Sequence, residues 1–99
     1  MDVEYLENEK SLTVKPEGRM DTNTSPILNE QTKAKMGDIT ELTLDLEKVP
    51  YMSSGGLRVI LEWLQIMEDR GGQFKLLHVN DYIKKVLDLT GLLNDLTIE

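Results

Sequence analysis

The residues best suited to chemistry lie together in P-Y-M-S-S-G-G-L, from Pro50 to Leu57. Two hydroxyls, Ser53 and Ser54, and two glycines, Gly55 and Gly56, stand where an alternating apolar segment ends and a helical periodicity begins. A helix start leaves backbone N–H groups unpaired and carries partial positive charge. It favours an oxyanion there: a capping side-chain oxygen, a bound phosphate, or a phosphate esterified to the serine itself. The plainest of the three is an N-cap at Ser53 or Ser54, with the glycines easing a tight turn.

Enzymatic readings of the same residues do poorly. The stretch is not the G-x-S-x-G of a nucleophile elbow. A serine triad would rest entirely on His78, the one histidine in the chain. His78 follows a later apolar segment and reads as a strand-end residue with one satisfied nitrogen. Leu57 stands where a phosphate-binding loop needs lysine, which argues against nucleotide hydrolysis. The carboxylates of Asp45 and Glu47, two apart on one strand, read as a wet face. The sharper alternative groups them with Asp21 as an acidic site beside Ser54.

Composition narrows the classes further. Without cysteine there is no disulfide, thiol nucleophile or thiolate metal site, and one histidine allows no His-pair metal site. No metal site or thiol chemistry is therefore expected, and no catalytic residue or cofactor is singled out. Eleven Lys and Arg against eighteen Asp and Glu leave a net charge of −7. That balance disfavours nucleic acid, whose phosphates need a clustered positive surface, and disfavours anionic lipid. The acidic N-terminus has no signal-peptide pattern. The apolar stretch from Leu57 to Met67 is broken by Arg58, Glu62 and Gln65, far short of the roughly 20 apolar residues of a membrane span. A soluble, cytoplasmic protein with one domain over 1–99 is the expectation.

The elements that position these residues follow from periodicity. Val3–Glu7 and Ser11–Lys15 alternate and predict a hairpin ended by Pro16 and Gly18. Ser25 as N-cap and Pro26 as the first helical residue predict a helix running to Met36, with Gly37 as its stop. Glu41–Val49 predicts a strand with Leu42, Leu44 and Leu46 on one face and Thr43, Asp45 and Glu47 on the other. A helix over Ser54–Asp69, a strand over Gln73–Val79 and a helix over Asp81–Thr90 follow, with room for a terminal strand in Leu92–Ile98. The third helix has Asn80 or Asp81 as cap, Gly91 as stop and an apolar stripe of Tyr82, Ile83, Val86, Leu87 and Leu89. Strands alternating with helices predict an α/β layer with parallel pairings. In the second helix Leu57, Ile60, Leu61, Leu64 and Met67 share an arc suited to packing, and Val59, Trp63 and Ile66 lie nearly opposite. Unless a neighbouring helix covers it, that second face is a partner surface anchored by Trp63.

Three segments together resemble the STAS family of bacterial anti-sigma-factor antagonists. They are L-T-L-D-L-E-K-V-P-Y-M-S-S-G-G-L-R-V-I-L, the G-R-M-D of Gly18–Asp21, and the V-L-D-L-T-G-L of Val86–Leu92. The resemblance spans nearly the whole chain. It implies a small mixed sheet of four or five strands, an antiparallel hairpin followed by parallel strands, with helices packed on one face. It also implies a binding module without catalysis. Unmodified, such a domain binds an anti-sigma factor that is a serine kinase; phosphorylation of a serine at the start of the second helix breaks the complex, and a serine phosphatase restores it. The matching serine is Ser54, surrounded by Asp21, Ser53, Gly55 and Gly56. Ser53 stands where the antagonist pattern carries aspartate, which makes it the alternative acceptor. The expected partner surface is Met52, Arg58, Val59, Trp63 and Ile66, and an uncovered Trp63 face favours a homodimer. The rival expectation is an unphosphorylated adaptor in a signalling or transporter complex, held through Val59, Trp63 and Ile66.

Overall fold

A computed structural model of the protein describes residues 1–99, the side chain of Leu93 excepted. The chain opens with an antiparallel hairpin, β1 (Asp2–Glu7) and β2 (Ser11–Glu17), closed by Asn8. The Asn8 amide donates to the Ser11 carbonyl, and its side-chain oxygen accepts from the Glu9 amide. β2 runs past Pro16, the residue expected to end it. Pairing with the next strand stops at Val14, so the missing N–H of Pro16 falls beyond the parallel ladder.

Helix α1 (Ser25–Met36) starts one residue earlier than expected, with Thr24 at the cap position and Ser25 and Pro26 in its first turn. The cap chemistry is moved upstream to Asp21, whose Oδ1 accepts from the Asn23 and Thr24 amides. An Asx turn of this kind meets the same need for an oxygen near a helix start. β3 spans only Glu41–Asp45, because the chain turns at Leu46–Val49: the Val49 amide donates to the Leu46 carbonyl, and Asp45 Oδ1 accepts from the Glu47 amide. Glu47 is therefore off the strand. α2 runs from Ser54 to Asp69, as periodicity predicts. β4 (Gln73–Leu77), α3 (Asp81–Leu89) and β5 (Thr97–Ile98) complete the regular elements, with a short 3₁₀ turn at Leu92–Asn94 between the last two. Asn80 caps α3 by accepting from the Ile83 amide at 2.8 Å, and Gly91 stops it in the left-handed region at φ 77°.

The sheet order is β1-β2-β3-β4-β5, antiparallel at the first pair and parallel through the rest. Leu12, Val14, Leu42, Leu44, Phe74 and Leu76 line its buried face. Leu28 and Met36 of α1, Ile60, Trp63 and Met67 of α2, and Ile83 and Leu87 of α3 belong to the same core. Within the expected α3 stripe, Tyr82 and Leu89 remain exposed.

Candidate functional site

The loop from Val49 to Ser53 runs beside the loop from Arg19 to Asp21, and three backbone bonds make one unit of them. The Met20 amide donates to the Tyr51 carbonyl, the Ser53 amide donates to the Met20 carbonyl, and the Gly18 amide donates to the Lys48 carbonyl. Ser53 is the N-cap of α2: its Oγ accepts from the Gly55 amide at 3.2 Å, and its carbonyl takes the first helical bond from Leu57. Ser54, the next residue, is the first of the helix and is exposed.

The glycines are there for close approach. A Cβ at Gly55 would lie 3.2 Å from the Asp21 carbonyl oxygen and from Thr22 Cα. One at Gly56 would lie 2.6 Å from Met52 Cγ and 3.2 Å from the Met20 carbonyl oxygen. The first turn of α2 is thus pressed onto the 20–22 loop, which brings Asp21 next to Gly55. Hydrogen bonds from the backbone amides of Thr24 and then Asn23 hold the Asp21 carboxyl below the usual carboxylate range.

Between the starts of α1 and α2 lies a cleft of about 310 Å³, lined by Thr22, Pro26, Asn29, Ser54, Arg58 and Glu62 among others. A polar chain that includes Asn29 and Glu62 links the two helices. The Trp63 indole N–H donates to Asn29 Oδ1 at 2.8 Å, the Asn29 amide donates to the Glu62 carboxylate, and Lys33 pairs with the same carboxylate. The Lys33 ammonium, followed by Asn29, lowers the Glu62 pKa against its partial burial.

Two expectations fail. Val59 and Trp63 belong to the buried face of α2, with Trp63 at 0% exposure and its ring edge-on to Phe74. Ile66 is half-buried and packs on the core. The helix is flanked by α1 as well as by the sheet, so its covered stripe is Gly56, Val59, Ile60, Trp63 and Met67, and Leu61 is the residue left in solvent. Met52, also expected at the partner surface, is 1% exposed because it fills the space under Gly56. Of that expected surface only Arg58 is exposed.

The proposed grouping of Asp45 and Glu47 with Asp21 does not form. Asp45 sits on the sheet face opposite Leu42 and Leu44, where its Oδ1 meets His78 Nδ1 at 2.8 Å and Lys15 lies 4.0 Å from Oδ2. Burial alone would raise the Asp45 pKa, but the His78 and Glu47 N–H donors outweigh it and lower it. The same bond raises the pKa of His78, which is held in the left-handed region at φ 56°. Among the described residues no group of acidic or histidine side chains is arranged to hold a metal, and no helix is long and apolar enough to cross a membrane.

Sequence reasoning missed Thr22, Asn29 and Glu62 as cleft residues, because nothing local in α1 says which side of it meets α2. It also missed a surface stack in which the Arg19 guanidinium lies 4.2 Å from the centre of the Tyr51 ring, itself stacked on Tyr82 at 5.8 Å.

Residues 2–99 match the STAS domain family. The anti-sigma-B factor antagonist of Bacillus subtilis (strain 168) is 28% identical over 92 residues, covering 93% of this chain and 84% of that protein. In fold, the chain is similar to the anti-sigma factor antagonist SpoIIAA in its unphosphorylated form, with a TM-score of 0.84, 17% identity, and coverage of 99% and 88% of the two chains. The phosphorylated form of the Bacillus protein SpoIIAA superposes with a TM-score of 0.76 at 18% identity, over 99% of this chain and 91% of that one.

Proposed function

The chain belongs to the STAS domain family, and we propose that within it the protein is an anti-sigma-factor antagonist, a binding regulator and not an enzyme. On this reading residues 1–99 form one domain that works in the cytoplasm. Unmodified, it captures an anti-sigma factor that is itself a serine kinase. The kinase phosphorylates Ser54, the complex comes apart, and a serine phosphatase resets it.

The observation that carries this reading is the division of labour between the two serines. Ser53 is occupied as the cap of α2, while Ser54 is exposed on the rim of the α1–α2 cleft. A phosphate there would add a charge of about −1.5 to −2 at a helix start, where it is locally tolerated. It would still place charge and bulk where a partner must fit. The adaptor alternative rested on an apolar surface of Val59, Trp63 and Ile66; two of these are buried and the third half-buried, so it has no such surface to use.

The test is to incubate the protein with the candidate kinase and ATP and to map phosphate by mass spectrometry. Phosphate on Ser54, absent in Ser54→Ala, is expected. An unmodified Ser54 peptide, with the kinase active on a second substrate, overturns the reading; phosphate on Ser53 alone overturns the assignment.

A further inference from the structure

We propose that Arg58 is the counter-ion of a phosphate on Ser54, so that modification removes the free cation of the α1–α2 cleft as it adds negative charge. The inference rests on the Ser54 reading above.

Ser54 and Arg58 are four residues apart in one continuous helix and line the same cleft. Residues at that spacing are neighbours on a helix surface, about 6 Å apart along the axis. Helical side chains lean towards the N-terminus, so the Arg58 stem points back over the turn that carries Ser54. Arg58 is exposed, and among the described residues no ion pair occupies it.

The neighbouring charges are already engaged. Glu62, one turn beyond Arg58 and its natural helical partner, is held by Lys33 and Asn29 from α1. Asp21, in the loop against Gly55, directs its carboxylate to the Thr24 and Asn23 amides. Arg19, in the same loop, lies over the Tyr51 ring. Arg58 is thus the cation left over beside Ser54, and a guanidinium offers a planar pair of donors that matches two phosphate oxygens. Once it is taken by the phosphate, its donors are no longer available to a docking protein.

The test needs no kinase. Phosphoserine is installed at position 54 during translation, and its second ionisation is followed by ³¹P NMR in the otherwise unchanged protein, in Arg58→Gln and in Arg58→Lys. The three share the same helix start and the same Asp21, so differences report position 58. The phosphate is expected to titrate about a sixth to a third of a unit lower with arginine than with glutamine, with lysine recovering much of the shift. In 1 M salt the gap should narrow. Equal titrations in three proteins that fold alike, judged by Trp63 fluorescence, overturn the inference. A kinase that ignores Ser54 would overturn the earlier reading and leave this titration untouched.

Discussion

At the scale of single residues, neighbouring side chains of similar chemistry are separated by what the backbone asks of them. Ser53 spends its oxygen on the Gly55 amide and Ser54 does not. Ser53→Ala should therefore cost about 1 kcal/mol of folding stability, whereas Ser53→Asp, which keeps an acceptor at a helix start, should cost little. Urea unfolding of the two variants checks this. The Asp45–His78 bond makes a second prediction. His78 should titrate above its ordinary 6.5, and Asp45→Asn should bring it back, as read by NMR of its ring protons. The raised His78 pKa means that its share of stability is complete below 6.5 and fades as pH rises through the folded value. The lowered Asp45 pKa means that its share holds above 3.8 and fades as pH falls through the folded value. The pair thus contributes most between those limits. That it exists was not legible in sequence, because Asp45 and His78 meet only where β3 and β4 end side by side.

At the scale of elements, α2 is the clearest case of a helix whose bounds were legible while its facing was not. Serine followed by glycines at one end and Arg70-Gly71-Gly72 at the other mark Ser54–Asp69 in sequence. A helix apolar over so much of its circumference, however, has no single stripe that periodicity can choose. The choice was made by α1, whose Asn29 accepts the Trp63 indole N–H. Trp63→Ala should accordingly lose about 3–5 kcal/mol by leaving a cavity, and any loss of partner binding should track unfolding. Asn29→Ala removes the acceptor of a buried N–H and should cost about 1–3 kcal/mol. Gly56→Ala is the most telling substitution. In an exposed helix interior it would gain about 1 kcal/mol, but here the new methyl meets Met52 and the Met20 carbonyl, so net destabilisation is expected. Thermal melts of the three variants give the order.

At the scale of the whole molecule, the proposed phosphosite sits on the surface of a core that does not depend on it. Ser54 is exposed and makes no bond that closes the α1–α2 cleft. Ser54→Asp should therefore leave stability within about 0.5 kcal/mol of the parent and change amide spectra only around the starts of α1 and α2. A global loss of order would mean that charge there acts by unfolding. The sequence by itself determined the element order, the mixed sheet and the Ser53–Gly56 junction, because alternation, helical periodicity, caps and glycine stops are written over neighbouring residues. Only the tertiary structure decided what faced what. It put Val59, Trp63 and Met52 inside and left Arg58 on the cleft. It also kept Asp45 on the far side of the sheet from the Ser54 loop. Those outcomes depend on packing between segments remote in the chain, where burial is shared among several apolar faces and the best fit among them is settled in three dimensions.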